Sequence, residues 1–248
     1  MKLTCRKTIT IRPESVLVVA LVAIFAFIAR VNAQIEKDPH RPTCTDAQCR
    51  KIKSFLKSHY CGESPFGNGP DDGCEIKFPT KSQAGVEVLA DFHCEWNESK
   101  HDQECEQRGL PSASVSGILI KELMRLGLPA KASGQTHYWV WKSIQANWTL
   151  AAADYSRMAD DNLELCQVIV IIDQTSHVSV LRKLTFQKTD PDVPQVTEWY
   201  PIDLADAGGD GQVDVILEGD AYENHWFEVV SLRNGSPNTI FSGLGYYL

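Results

Sequence analysis

Basic residues are in short supply: 24 Lys and Arg stand against 32 Asp and Glu, for a net charge of −8. Nucleic-acid binding rests on neutralising phosphates with a basic surface, so this balance argues against that function class. Adhesion to anionic lipid is disfavoured on the same ground. Long apolar runs are also lacking. The one extended run, Val16–Ala29, has 14 residues, short of the roughly 20 that a spanning helix uses. The Gly- and Asn-rich stretch from Cys61 to Cys74 has no GK[ST] ending, which argues against nucleotide binding. HExxH and GxSxG are absent, and no ordering singles out a Ser-His-Asp set. No CxxC knuckle accompanies His40, His59 and His93, so a zinc site is disfavoured.

What is present begins at the N-terminus. Lys2, Arg6, Lys7 and Arg12 precede the apolar run, and Val31 and Ala33 follow it with the small side chains that signal peptidase accepts. This predicts a signal peptide cut before Gln34 and a protein exported to the periplasm or secreted. The alternative is an uncleaved anchor, a transmembrane helix that holds the same domain outside the cytoplasm. Without residues 1–33 the chain keeps 19 basic and 31 acidic residues, net −12, over 215 residues. That length suffices for a real core. The expected organisation is a signal or anchor at 1–33, a Cys-rich disulfide-stapled region at 34–110, and an α+β region at 111–248.

Six cysteines cluster between Cys44 and Cys105, while Cys166 stands alone. In an oxidising compartment the cluster predicts three disulfides, whose pairing the spacing leaves open. Cys166 precedes an apolar strand and reads as a buried, inert thiol. Sequons stand at Asn97, Asn147 and Asn234.

Thr43 and Asp46 are candidate caps for a short helix over Lys51–His59. Ser112 or Ser114 caps a second one through Ile118–Leu126, with Ile118, Ile120, Leu123, Met124 and Leu126 as its apolar face and Gly127 and Pro129 as its stop. Gly85–Cys94 reads as a short strand or helix. Beyond Gly134, aromatic and β-branched runs separated by Asp, Gly, Asn and Pro predict five to seven antiparallel strands. The Ala-rich segment Leu150–Met158 also suits a helix. Trp141, Trp148, Trp199 and Trp226 read as packing residues. The fold class expected is α+β: a small helical, disulfide-stapled N-terminal region followed by an antiparallel β-sheet region.

Asp206-Ala-Gly-Gly-Asp-Gly-Gln-Val-Asp214 sets three carboxylates and a Gly-rich turn before the apolar run Val213–Leu217. Asp206, Asp210 and Asp214 can aim oxygens at a hard cation, and Gln212 can add its backbone carbonyl. The nine residues resemble the calcium loop of FG-GAP or integrin-type propeller repeats. They match its first Asp, its turn Gly, its central Asp-Gly and its last Asp. Gly208 departs from the pattern, because the family places Asp or Asn there. The resemblance implies one calcium ion at Asp206, Asp210, Gln212 and Asp214. No second copy exists, so it implies no propeller. Asp203 either assists this loop or caps its turn. The chain as a whole resembles a family of uncharacterised exported bacterial proteins, a likeness that carries no function.

The function expected is therefore an exported, non-catalytic structural or binding protein, with calcium in the acidic loop as its cofactor. Its partner is a protein or a small-molecule ligand, and membrane contact runs only through the N-terminal segment. One alternative is an exported hydrolase using acids near Glu218, Glu223 and His225, with His177 as another base. The other is a protein-binding module that presents the Cys61–Cys74 loop.

Overall fold

The computed structural model describes residues 44–62, 86–97, 102–192, 194, 196–222, 224–232 and 236–247. All of them lie in a compact unit spanning His40–Leu248. The Cys61–Cys74 loop, Glu223 and Asn234 fall at least partly outside the described residues, as does the whole N-terminal apolar run.

Helix α1 (Asp46–Tyr60) starts at Thr45 rather than at either predicted cap. The Gln48 N–H donates to Thr45 Oγ1 at 3.4 Å, and the Thr45 N–H donates to Gln48 Oε1 at 3.1 Å. This reciprocal box satisfies two otherwise orphaned donors. Asp46 instead occupies the first turn, where a negative charge suits the helix dipole. Cys44 is disulfide-bonded to Cys49, with their Cα atoms 5.5 Å apart, and Cys61 and Cys105 are disulfide-bonded as well. Helix α2 (Ala113–Arg125) is capped by Ser112, whose Oγ accepts the Val115 N–H. Its buried residues are Leu119 and Leu123, while Ile120 and Met124 are exposed. The buried stripe is thus narrower than the apolar composition suggested, because i and i+4 positions share one line along a helix.

Ten strands are described: β1 (Val86–Asn97), β2 (Asp102–Arg108), β3 (Gln135–Ser143), β4 (Trp148–Ala159), β5 (Asn162–Asp173), β6 (Val178–Thr189), β7 (Thr197–Ala205), β8 (Asp214–Ala221), β9 (Asn224–Ser231) and β10 (Asn238–Tyr247). They form a six-stranded sheet ordered β2-β1-β3-β4-β5-β6 and a four-stranded sheet ordered β10-β9-β8-β7. Every pairing is antiparallel. The chain is an α+β protein with a small helical, disulfide-linked N-terminal region and a larger antiparallel region. The single predicted sheet is resolved into two. Strands β1 and β2, from the Cys-rich stretch, join the larger one.

Three apolar clusters order the layers. Ile52, Leu56 and Tyr60 of α1 pack on Ile202, Ile216, Phe227, Val229 and Phe241 of the smaller sheet. Trp139, Trp141, Leu150, Ala152, Ile169 and Ile171 of the larger sheet meet Leu204, Val215, Leu217 and Val230 of the smaller one. Leu119 and Leu123 of α2 cover Val140, Ala151, Ala153, Val168 and Val170 on the far side. The order is helix, sheet, sheet, helix. Strand β5 is apolar almost throughout because both of its faces are covered. Trp141, Trp148 and Trp199 serve as packing residues between the sheets.

The expected transmembrane helix is corrected. Among the described residues no helix is long and apolar enough to cross a membrane. The two described helices have 15 and 13 residues, about 20 Å each at 1.5 Å per residue, against a hydrocarbon core of about 30 Å.

A buried ion pair joins the sheets. Arg182 of β6 and Glu228 of β9 are 4% and 3% exposed, and Arg182 Nε donates to Glu228 Oε2 at 2.7 Å. Nη2 donates to Glu228 and to Thr239 Oγ1, Nη1 donates to the Leu181 carbonyl, and Trp226 Nε1 donates to the other Glu228 oxygen. Glu228→Leu leaves a buried guanidinium uncompensated and is expected to cost about 3–5 kcal/mol in urea unfolding. The double variant Arg182→Met/Glu228→Leu is expected to recover most of that loss. A single variant as stable as the parent contradicts the assignment.

Candidate functional site

The predicted loop leaves β7 and enters β8. Gly209 and Gly211 hold φ of 67° and 82°, a backbone region that glycine enters without steric cost. Asp206 closes the turn, with Oδ1 accepting the Asp210 N–H at 2.9 Å and Oδ2 the Gly211 N–H at 2.7 Å. Asp210 Oδ1 accepts the Gln212 N–H at 3.0 Å, and Asp214 Oδ2 accepts the Gly208 N–H at 3.2 Å. Asp210 and Gln212 are exposed, whereas Asp214 is buried. Burial pushes the Asp214 carboxyl up to about 6; the Gly208 N–H opposes that shift and the Asp206 charge adds to it.

Gly208 marks where these side chains meet. A Cβ built there stands 3.6 Å from Asp214 Oδ2 and 3.9 Å from Asp210 Oδ2. Both carboxylates therefore approach the position at which the calcium-loop pattern supplies its missing oxygen. Among the described residues, no group of three or more His, Cys, Asp or Glu is assembled as a metal centre. A carboxylate oxygen has two lone pairs, so one that accepts an N–H can still face a cation. Asp203 does not serve this loop. It is fully buried, and its Oδ2 accepts the Tyr60 hydroxyl at 2.8 Å while Oδ1 accepts the Leu204 N–H at 2.7 Å.

A second constellation lies where β7, β8 and β9 meet the larger sheet. Glu218 and His225 come together as the sequence suggested, with His225 Nδ1 3.0 Å from Glu218 Oε1 and 3.5 Å from Asp220 Oδ1. Glu218 holds the imidazole above its usual pKa. Register sets Glu198 opposite Asp220 and Tyr200 opposite Glu218. Across the interface, Gln167 Oε1 of β5 accepts the Trp199 N–H at 2.9 Å. That bond fixes β7 against the larger sheet beside Asp154, whose partners in register are His137 and Gln167. Tyr200 reaches Trp139 with ring centroids 6.1 Å apart and hydrogen-bonds to Glu198. Gly219 admits the Trp226 indole, since a Cβ there would stand 2.3 Å from the ring.

Asp154 is the residue that sequence reasoning missed. It continues the alternation of Leu150 and Ala152 on the inter-sheet face and is 6% exposed. Its Oδ1 has no hydrogen-bond partner. Burial, with the Glu198 charge added, pushes it up to about 8. Burial and then Asp220 raise Glu198 to about 7, against the Tyr200 bond. The signal was a lone carboxylate in the apolar run from Leu150 to Tyr155. Glu198 and Tyr200 carried no local signal. His177 is exposed. Cys166 is buried and free, and burial raises its thiol to about 11, which makes it a poor nucleophile.

No family model, curated protein or solved structure matches the chain.

A carboxyl whose folded pKa exceeds its unfolded value near 4 binds more protons folded than unfolded. Stability therefore falls as pH rises from about 4 and levels off above the Asp154 value of about 8. Asp154→Asn mimics the protonated acid. Urea unfolding across that range is expected to show a flatter slope in the variant and greater stability than the parent at alkaline pH. Parallel profiles contradict the burial of a protonated Asp154.

Proposed function

We propose that this chain is an exported, non-catalytic structural or binding protein in which one calcium ion braces the Asp206–Asp214 turn. The observation that supports it is the approach of Asp210 and Asp214 to the Gly208 position, with Asp206 beside them. Asp206, Asp210 and Asp214 would give carboxylate oxygens and Gln212 its backbone carbonyl. Calcium prefers six to eight oxygens, so water completes the shell and affinity is lower than in loops with Asp or Asn at the third site. The ion's contribution is structural. It offsets the mutual repulsion of the carboxylates and fixes the β7–β8 connection against the end of the sheet.

An ion that binds only the folded state stabilises by about 2.7 kcal/mol at 100 times its dissociation constant, which raises the melting temperature by several degrees. Melting in calcium is expected to exceed melting in chelator by that margin, and Asp210→Ala is expected to abolish the difference. Identical melting with and without millimolar calcium contradicts the reading.

A further inference from the structure

We propose that the carboxylate constellation around Asp154, between the two sheets, is a binding site for a slender organic cation carrying a primary ammonium or guanidinium group. The inference deepens the binding-protein reading and is independent of the calcium turn. Charge is the first argument. Four carboxylates, Asp154, Glu198, Glu218 and Asp220, stand against two imidazoles: His225, 3.0 Å from Glu218 and 3.5 Å from Asp220, and His137, opposite Asp154 in register, which burial holds below its usual pKa. The charges acting on Asp154, Glu198 and Tyr200 are all carboxylates. Asp220 adds His225 to that set. A site of low polarisability with such an excess is stabilised either by protons or by an incoming cation.

Asp154 itself points the same way. A carboxylate oxygen without a partner, on a residue 6% exposed, is costly unless something meets it. Glu198, Tyr200, Asp220 and His225 are only half-buried, so the constellation grades from partly open to closed with Asp154 at its inner end. Such a gradient suits a charged tip on a thin alkyl stem. Tyr200 and Trp139 offer aromatic surface to the cation along the way. A metal ion suits it less, because no three acidic or His side chains among the described residues are grouped to hold one.

Ionisation of Asp154 is coupled to binding, and the groups facing it are His137 from β3 and Gln167 from β5, its partners in register, and Glu198 and Tyr200 from β7. A cation binds the ionised form, so affinity rises with pH below the Asp154 value of about 8, by up to about tenfold per unit.

Isothermal titration of the full chain with spermidine (ammonium) and with agmatine (guanidinium) tests this. The expected result is saturable binding of at least one, with proton release seen as a buffer-dependent heat. Asp154→Asn is expected to weaken it by about 30-fold or more. Glu198→Gln, at a half-buried position that tolerates the change, is expected to weaken it and flatten its pH dependence. Asp210→Ala is expected to leave it intact whatever calcium does to the turn. Absence of binding at millimolar amine overturns the proposal, as does undiminished affinity in Glu198→Gln. Competition by calcium, or loss of amine binding in Asp210→Ala, overturns it as well.

Discussion

The Arg182–Glu228 pair is the contact on which the arrangement of this protein depends. Two sheets that meet through Leu, Val, Ile and Trp side chains gain hydrophobic energy in many relative positions, since apolar contact has little directional preference. A guanidinium and a carboxylate, both nearly removed from water, have one acceptable geometry. Their desolvation is offset only while Thr239, the Leu181 carbonyl and the Trp226 indole satisfy the remaining donors and acceptors. The neutral bond from the Trp199 N–H to Gln167 adds a second fixed point. Together they set which residue of β7 faces which residue of the larger sheet.

That alignment has an electrostatic consequence. It places Glu198 and Tyr200 against Asp154, so carboxyl groups that would be ionised in water share a poorly solvated space. The acidic surface of the chain gives no hint of this, because surface carboxylates are solvated and interact weakly. The Asp206–Asp214 turn is a different kind of acidic feature. Its carboxylates are largely spent on backbone N–H groups; the Gly208 N–H opposes the effect of burial on Asp214, which is raised less than Asp154. Hydrogen bonds to the charged form hold a carboxyl down, and weaker desolvation acts in the same direction.

Local signals were legible and long-range ones were not. Ser112 as a cap, the β-branched run of β5 and the Gly-rich turn each declare themselves within a few residues. The Ala-rich β4 was ambiguous because Ala favours helices. Its small side chains instead let α2 approach the sheet, and pairing with β3 and β5 decides the matter. Its turn into β5 rests on Asp160 and Asp161, both at positive φ, without the Asn-Gly signature of such hairpins. Strand β2 was hidden differently. Cys105, Glu106 and Arg108 are exposed, and backbone pairing to β1 leaves no mark in the hydrophobic pattern. The acidic loop was visible because its ligand-bearing residues are contiguous. The constellation around Asp154 was not, since its members come from β4, β7, β8 and β9 and meet only after both sheets have formed.

The claim that carries the account is that folding drives a carboxyl of β4 into the space between the sheets and keeps it protonated near neutrality. Carboxyl carbon-13 NMR of the Asp154 side chain across a pH series reads this directly. The account predicts a midpoint near 8. A midpoint near 4, the ordinary carboxylate value, would show that water or a countercharge reaches the group and would contradict it.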